Sequence, residues 1–391
     1  MKFIHISDLH LGKRLHETSL IEDQNYILNQ ILDIIDDEKP SALLIAGDIY
    51  DKSTPSAEAV SLFDLFLSNL AKKGVQVFII SGNHDSAERI AFGSKIMGAV
   101  GVHLSPVYNG EIAPITMQDE NGEINVYMLP FIKPSHVRRF YEKEEINSYN
   151  DALKVAVAKM NIDKTKRNIL ITHQFVTGAT RSESEESVGG TDNIDASVFF
   201  DFDYVALGHL HAPQYCQKKN IRYSGTPLKY SFAETKDVKS VTVVTLNKKG
   251  DESEIKTVDL KPLRDMKKIR GTFNDLINMA DRCEDYVQIT LTDEQEIPNA
   301  MNRLQTVYKN ALELKYDNQR TRANATILAV DDIKTKSPYE LFLDFYIERN
   351  NAEMSDVQKE YIKNLIEKIE EDGQWDLLNL PYRHLVRTHK K

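Results

Sequence analysis

The chain has 391 residues, a formal net charge of −10 and two cysteines, Cys216 and Cys283. Two cysteines are too few for a disulfide framework, and the acidic balance argues against a nucleic-acid binder, because phosphate contacts usually need a basic face. The apolar start of the chain ends at Ile6, too early for a signal sequence, and no segment reaches the roughly 18 apolar residues of a membrane span. We therefore expect a cytoplasmic protein of about two or three domains.

Apolar runs typical of buried strands alternate with amphipathic helical patterns in the first part of the chain. The predicted strands cover residues 2–7, 41–47, 75–82, 124–130, 168–172, 204–208 and 239–246. One helix is predicted at 19–39, and a second has Thr54 as its N-cap and Pro55 at its first position. The second helix is expected to end at Gly74. Because the later strands have little helix between them, we predict an α/β fold with a layered core, in which mixed sheets are flanked by helices.

The sequence pattern changes near residue 262. The segment beyond it predicts a small second α/β domain that ends in a charged, linker-like stretch at 331–336. Two amphipathic helices follow, and capping boxes at Ser337 and Ser355 mark their starts. The predicted domains are therefore residues 1–262, residues 263–335 and a helical tail at residues 336–391.

Five of the predicted strands end in side chains that can bind metal ions. These side chains are Asp8, His10, Asp48, Asn83, His173, His209 and His211. A single aspartate after a strand is usually a turn or a cap, and a single histidine usually has no ligand role, but the combination at five strand ends is hard to explain by capping preference. Because ligands bind beyond the carboxyl ends of strands in α/β sheets, we expect these side chains to converge at one edge.

The number and chemistry of these side chains predict a two-metal site. Seven candidate ligands exceed what one ion uses, and Asp48 is the natural carboxylate for two ions to share. Carboxylate, imidazole and amide ligands without thiolate disfavour a structural zinc site and favour Mn²⁺, or a similar cation, over Mg²⁺. Two such ions can support hydrolysis of a phosphate ester, which is the reaction that the residues predict.

The segment Gly-Asn-His-Asp at residues 82–85 predicts a catalytic group beside the metals. Gly82 would let the chain turn, Asn83 would be a neutral ligand, and His84 would stay free to stabilise charge or protonate a leaving oxygen. Asp85 has two interpretations that the sequence leaves open. It either orients the His84 ring or caps the helix that starts near Ser86.

The order of motifs D-x-H, G-D, G-N-H-D, H and G-H-x-H resembles that of the calcineurin-like metallophosphoesterases. More narrowly, the segments HISDLHLGK, LIAGDIYDKSTPS, ISGNHDSAERI and ALGHLHAPQ resemble the bacterial SbcD nuclease subunits, which are related to archaeal and eukaryotic recombination nucleases. The similarity extends over RYSGTPLKYSF, the small domain and the helical tail.

This resemblance implies a site, an activity and partners. It implies two manganese ions, with magnesium as the alternative, and His84 as the catalytic histidine. The implied ligands are Asp8, His10, Asp48 and His211 for one ion, and Asp48, Asn83, His173 and His209 for the other. The implied activity is a DNA exonuclease on double strands and an endonuclease on single strands and hairpins, in DNA repair, recombination and replication at the nucleoid. The second domain would cap the DNA, and a homodimer would dock its C-terminal helices on a coiled-coil ATPase of the SbcC type.

Two points stay open on the sequence alone. The same metal chemistry serves phosphomonoesterases and cyclic-nucleotide phosphodiesterases, although the extra domain and tail favour a macromolecular substrate. A non-catalytic scaffold should have lost ligands, and none is missing. The basic clusters are small, and with the acidic net charge they predict weak DNA affinity for the isolated chain. These clusters contain Lys133, Arg138 and Arg139, and Lys218, Lys219 and Arg222.

Overall fold

The computed structural model describes residues 1–180, 193–278, 284–319, 338–350 and 353–372. The described residues up to 319 form one compact unit, and those from 338 onward belong to a second. Cys283, the predicted linker at 331–336 and the predicted N-cap Ser337 lie outside the described residues.

The larger unit contains short strands and helices, numbered here in chain order. The strands are β1 (Lys2–Ile6), β2 (Arg14–Leu15), β3 (Thr18–Ser19), β4 (Ala42–Ala46), β5 (Gln76–Ile80), β6 (Val102–Leu104), β7 (Ile115–Asp119), β8 (Gly122–Leu129), β9 (Arg167–His173), β10 (Tyr204–Gly208), β11 (Gln214–Cys216), β12 (Lys218–Tyr223), β13 (Ser240–Thr245), β14 (Glu254–Asp259), β15 (Met266–Gly271), β16 (Tyr286–Leu291) and β17 (Ala311–Tyr316). The helices are α1 (Ile21–Glu38), α2 (Ala57–Lys72), α3 (Ala87–Ile90), α4 (Ser94–Met97), α5 (Pro134–Arg138), α6 (Tyr149–Ala158), α7 (Phe273–Asn278) and α8 (Ala300–Leu304).

Two six-stranded mixed sheets form the core of this unit. One has the strand order β14-β13-β1-β4-β5-β6, and the other has the order β11-β12-β10-β9-β8-β7. Strands β1, β4 and β5 run parallel in the first sheet, and β8, β9 and β10 run parallel in the second. The sheets pack face to face through a shared hydrophobic cluster that contains Phe78 from the first and Ile171 from the second. The predicted α/β core of mixed sheets is therefore confirmed.

Helices cover the outer faces of both sheets. Helices α1 and α2 lie on the first sheet, where Ile31 and Phe66 share a hydrophobic cluster with Ile45. Helix α6 lies on the second sheet, where Leu153 clusters with Leu170. The central strands are buried on both faces, and their sequences are therefore largely apolar. For this reason the predicted strand bounds agree to within a residue or two with those of β1, β4, β5, β8, β9, β10 and β13.

The start of α2 differs from the prediction. Ser56 is the N-cap, because its backbone is extended and its hydroxyl accepts a hydrogen bond from the Ala59 amide. Thr54 and Pro55 therefore lie before the helix, and their predicted places in it are wrong. The serine hydroxyl satisfies an amide that the first turn leaves without a partner, which favours a helix start after Ser56.

A smaller parallel sheet, β15-β16-β17, follows in the same unit. Helices α7 and α8 pack on one face of it, where Leu276 and Leu304 cluster with Ile289. The sheet contacts the main core at the buried Asp23 carboxylate of α1, which accepts hydrogen bonds from Arg264 at 2.9 Å and from the Tyr286 hydroxyl at 2.8 Å. The domain boundary at residues 262–263 and the capping role stay predictions.

The second unit contains two helices where the sequence predicts them, α9 (Pro338–Asn350) and α10 (Asp356–Asp372). Helix α10 is amphipathic as expected, but the apolar residues of α9 are not confined to one face, so its predicted amphipathic character is wrong. The capping box of α10 is confirmed, because the Ser355 amide donates to Gln358 Oε1 at 2.9 Å and the Gln358 amide lies 3.4 Å from the Ser355 hydroxyl. Within the described part of the chain, no helix is both long and apolar enough to cross a membrane.

Candidate metal centre

The seven predicted ligands all lie where the central strands of the two sheets end. Asp8 and His10 follow β1, Asp48 follows β4, Asn83 follows β5, His173 ends β9, and His209 and His211 follow β10. The His209 amide donates to the Asp8 carboxylate at 3.1 Å, and Asn83 Oδ1 lies 2.9 Å from His173 Nε2. The structure therefore brings ligands from both sheets to one place, while their role as ligands stays a prediction.

The side chains form three overlapping groups whose potential ligand atoms lie within 4.8 Å of one another. The groups are Asp8, His10 and His211; His10, Asp48 and His84; and Asp8, Asp48 and His173. Asp48 belongs to two groups, as a carboxylate shared by two ions would, although Asp8 and His10 do so as well. Two neighbouring cation positions fit this overlap.

The buried floor of this site fits divalent cations. Asp8, His10, Asp48 and His173 are all almost fully buried. Burial raises the pKa of Asp8 to about 6, so its charged form is costly without a cation nearby. Among the described residues, neither ring nitrogen of His10 has a hydrogen-bond partner, although Nε2 lies 3.7 Å from Asp48 Oδ2. Cations would satisfy both the buried carboxylates and the unpartnered imidazole.

The backbone at the site is strained. Asp8, His10, Asp48 and His209 have φ angles of 54°, 43°, 49° and 105°. Side chains with a Cβ atom rarely adopt positive φ, and such residues cost about 1–3 kcal/mol each and concentrate at functional sites. The four candidate ligands are therefore held in their positions at a cost to stability.

Glycines next to the ligands permit the close approach of the strand ends. A Cβ atom on Gly82 would lie 2.1 Å from Asp48 Oδ1, and one on Gly208 would lie 1.8 Å from the Ala46 carbonyl oxygen. Gly82 does not have a positive φ, so the expected reason for it, freedom to turn, is wrong. This glycine is needed because no side chain fits against Asp48.

Asp85 does neither of the things expected of it. Its carboxylate accepts hydrogen bonds from three backbone amides, those of Ile49, Tyr50 and Gly82, at 3.0, 3.0 and 2.9 Å. The helix that follows is capped by the Ser86 hydroxyl, which accepts from the Arg89 amide. The oxygens of Asp85 are directed at backbone amides and not at the neighbouring imidazole, so both interpretations are wrong. Asp85 instead anchors the loop that carries Asp48.

His84 is the most accessible imidazole of the three groups, with 41% of its side chain exposed. Its Nδ1 lies 2.9 Å from the Asp51 carbonyl oxygen, and its Nε2 lies 4.0 Å from Asp48 Oδ2. The His84 amide also donates to Asp48 Oδ1 at 2.8 Å. The carbonyl of Asp51, rather than Asp85, therefore fixes the ring, with Nε2 toward the metal-binding groups.

Sequence reasoning missed the residues behind His211. Glu234 Oε1 lies 3.0 Å from His211 Nδ1, and the Lys239 ammonium lies 2.7 Å from Glu234 Oε2. Burial opposes ionisation of Glu234, but the contacts with His211 and Lys239 outweigh it and lower its pKa to about 2. No sequence signal marked Glu234, because the segment before β13 is mostly polar and contains other charged residues.

The predicted basic clusters lie at α5 and on β12, where Lys218 and Lys219 are exposed but Arg222 is half-buried. Lys133 is the N-cap of α5, which ends at Arg138. The Lys218 ammonium lies 3.6 Å from the centre of the Phe200 ring, and Arg222 Nε donates to the Thr242 hydroxyl at 3.2 Å. Contact of these clusters with DNA stays a prediction.

Comparison with known proteins gives family matches over most of the chain. Residues 1–213 match the calcineurin-like phosphoesterases, and residues 262–350 match the family described as the type 5 capsule protein repressor C-terminal domain. The chain is 33% identical over 382 residues to the SbcD subunit of the nuclease SbcCD from Staphylococcus saprophyticus subsp. saprophyticus. That alignment covers 95% of this chain and 100% of the relative.

Solved structures give weaker likenesses. A dimetal phosphatase from Danio rerio is 14% identical with a TM-score of 0.39, covering 67% of this chain and 98% of that one. The phosphoesterase Yfce from E. coli is 13% identical with a TM-score of 0.27, covering 67% of this chain and 100% of that one. Neither likeness is close enough to carry weight.

The family matches, together with the clustered aspartates and histidines, indicate a hydrolase with a dimetal site. The chain belongs to the calcineurin-like phosphoesterases and, within them, to the SbcD nuclease subunits.

Proposed function

We propose that this protein is a metal-dependent DNA nuclease that cleaves phosphodiester bonds. The observation that carries the proposal is the convergence of seven potential ligands and His84 at one edge of a chain from the SbcD family. The proposed activities are digestion of double-stranded ends and cleavage of single strands and hairpins. They would serve DNA repair, recombination and replication at the cytoplasmic nucleoid.

We assign two divalent ions to the site, with Mn²⁺ preferred over Mg²⁺ because histidine and asparagine ligands accompany the carboxylates. One ion would be held by Asp8, His10, Asp48 and His211, and the other by Asp48, Asn83, His173 and His209. When bound, the ions would offset charge on the phosphate group and make hydroxide available near neutral pH.

His84 is the proposed catalytic residue. With Nδ1 held by the Asp51 carbonyl oxygen, Nε2 is the atom that can donate a proton to the leaving oxygen or stabilise charge on the phosphate. Asp85 acts as a positioning residue, because its three amide hydrogen bonds hold the loop that carries Asp48.

The additional elements support a large substrate and protein partners. We propose that residues 263–335 cap the DNA and that residues 336–391 dock on a coiled-coil ATPase of the SbcC type, which would add ATP dependence to the activity of the complex. The Staphylococcus relative is named as one subunit of the nuclease SbcCD, which supports a multi-subunit assembly for that protein. Exposed apolar side chains on α10, such as Val357 and Tyr361, support a docking role for this tail.

A homodimer is also proposed. Phe92, Ile96 and Val100 are large apolar residues that are 85%, 80% and 63% exposed, close together in the chain after the His84 segment. Such exposure is unusual unless another protein surface covers it. Replacing Ile96 with glutamate should convert the dimer to a monomer in light scattering, and replacing the exposed Val238 in the same way serves as the control. A wild-type chain that is monomeric at all concentrations would contradict the dimer.

The function can be tested with the purified chain and Mn²⁺. Linear, hairpin and circular DNA are incubated in parallel with p-nitrophenyl phosphate, and EDTA serves as the metal-free control. We expect cleavage of linear and hairpin DNA, and a loss of about 10²–10⁴-fold on replacing His84 with alanine, the usual worth of a general acid. His103→Ala is the matched control outside the site. Intact DNA with turnover of the monoester would instead support a phosphomonoesterase.

The isolated chain should bind DNA weakly because its net charge is −10. A salt titration of binding to linear DNA, with and without the ATPase partner, measures this. Tight binding by the chain alone, with a steep dependence on salt, would contradict the prediction.

A further inference from the structure

His211 is held from behind by a buried ion pair. The Glu234 carboxylate is 1% exposed and lies between His211 Nδ1, at 3.0 Å, and the Lys239 ammonium, at 2.7 Å. Lys239 also donates to the main-chain carbonyl oxygen of His211 at 2.9 Å. The pair therefore fixes both the ring and the backbone of this histidine.

Glu234 determines which nitrogen of His211 faces the site. Because Nδ1 is paired with the carboxylate, Nε2 is the nitrogen that would bind an ion in the metal-binding group that His211 forms with Asp8 and His10. A carboxylate that accepts from a histidine fixes its tautomer and makes it a stronger ligand.

His173, in the neighbouring group, is supported differently. Its Nδ1 lies 2.8 Å from the Ala46 carbonyl oxygen, which carries no formal charge. A hydrogen bond to a charged acceptor is roughly twice as strong as one to a neutral acceptor. The two groups therefore differ in how firmly an imidazole ligand is oriented.

We propose that Glu234, held by Lys239, is a positioning residue that sets the affinity of the cation position formed by Asp8, His10 and His211. The inference rests on the proposed function, since it concerns one of the two ions assigned there. It makes the two positions unequal. Loss of Glu234 weakens the position at His211 and spares the position at His173.

The test measures metal binding directly and does not depend on catalysis. Apo protein is titrated with Mn²⁺, and free ion is followed by electron paramagnetic resonance for the wild type, Glu234→Gln and Glu234→Ala. Glutamine keeps the size and an acceptor oxygen but removes the charge. We expect one of the two binding constants to weaken by about 10- to 100-fold in the alanine variant, less in the glutamine variant, and the other constant to stay unchanged. Glu254→Gln, on the exposed edge strand β14, is the matched control.

Nuclear magnetic resonance of the imidazole nitrogens adds a readout that a purely structural role would not move. His211 in the apo wild type should be protonated at Nδ1, and Glu234→Ala should give a mixture of tautomers. Lys239→Met is the second variant, in which Glu234 keeps its charge but loses its anchor, so a smaller loss at the same position is expected.

The outcomes separate the inference from the proposed function. Unchanged affinities in a folded Glu234→Ala protein would overturn the inference, and so would an equal loss at both positions. A wild-type chain that binds no Mn²⁺ or leaves DNA intact would instead overturn the proposed function. Melting of each apo variant before titration establishes that it is folded.

Discussion

Two regions of this protein contain parallel strands, and the residues that follow those strands differ between the two regions. At the metal-binding edge, β1, β4 and β10 lead into Asp8, Asp48 and His209, which all have positive φ. In the sheet β15-β16-β17, the only described non-glycine residue with positive φ between 266 and 319 is Asn299, which precedes α8 and does not follow a strand. The charged side chains at that sheet are partly exposed. An example is the ion pair of Arg270 and Asp317, in which the guanidinium lies 2.7 Å from the carboxylate.

The difference shows that a parallel sheet edge alone does not make a site. Both regions offer carboxyl ends of strands, but only one combines buried carboxylates and imidazoles with strained backbone. Backbone strain persists only where the surrounding packing outweighs its cost, and here the two large sheets supply that packing. The predictions below test this contrast, from the largest expected effect to the smallest.

Replacing Gly208 with alanine should destabilise the protein far more than replacing Gly271, although both glycines end a strand. The new Cβ would lie 1.8 Å from a backbone oxygen at Gly208 but 3.2 Å from a leucine methyl group at Gly271, which can move. We expect a loss of about 3 kcal/mol or more for Gly208→Ala and under about 1 kcal/mol for Gly271→Ala. Urea denaturation measures both, and equal losses would break the contrast.

Asp85→Asn should cost about 2 kcal/mol of folding free energy, because the amide cannot accept the same set of three backbone hydrogen bonds. It should also lower nuclease activity, since the loop that carries Asp48 loses its anchor. Asp317→Asn, which breaks a partly exposed pair, is the matched variant and should cost under about 1 kcal/mol. A stable and fully active Asp85→Asn protein would remove the positioning role.

Acid should destabilise the protein through His5, which lies in the regular part of β1. Burial lowers the pKa of His5 from 6.5 to about 3, so between these values the unfolded chain binds a proton that the folded chain does not. Stability contributed by the neutral ring is therefore complete above pH 6.5 and falls as the pH drops toward 3. At pH 5 the loss should be about 2 kcal/mol relative to pH 7.

The measurement for His5 is urea denaturation of the wild type and His5→Asn at both pH values. The variant should lose less stability on acidification than the wild type. The same loss in both proteins would assign the acid sensitivity to other groups.

The smallest expected change in stability is at the start of helix α2. Ser56→Ala should cost about 1 kcal/mol, because the amide of Ala59 loses its partner. Thr54→Ala should change the free energy of unfolding by less than about 0.5 kcal/mol, as surface substitutions usually do. The reverse order in thermal melts would restore Thr54 as the cap.

Much of the fold could be predicted because burial leaves a clear pattern. Strands such as β4, with all five residues buried, have no polar positions to confuse the assignment. Exposed edge strands such as β14 alternate weakly and gave no such signal. The helix start at Ser56 was missed because Thr54 and Pro55 offer an equally good local cap, and only packing decides between them.

The candidate site could be predicted only as a set of ligand types at strand ends. Glu234 could not be found, because its contact with His211 spans 23 positions and depends on the path of the chain after β12. The role of Asp85 was missed because its partners are backbone amides, which no sequence pattern marks. The strain at Asp8 and Asp48 was likewise invisible, since aspartate occurs in many unstrained turns.

The joining of Asp8 to His209, 201 positions apart, has a consequence for biosynthesis. During translation the segment that carries Asp8, His10, Asp48 and Asn83 emerges before the imidazoles of the second sheet, which come from His173, His209 and His211. The two proposed ions cannot both have all their ligands until the chain through His211 has left the ribosome and the two sheets have packed together. If the proposed function holds, a nascent chain that ends before His209 lacks ligands for both ions and would not yet be an active nuclease.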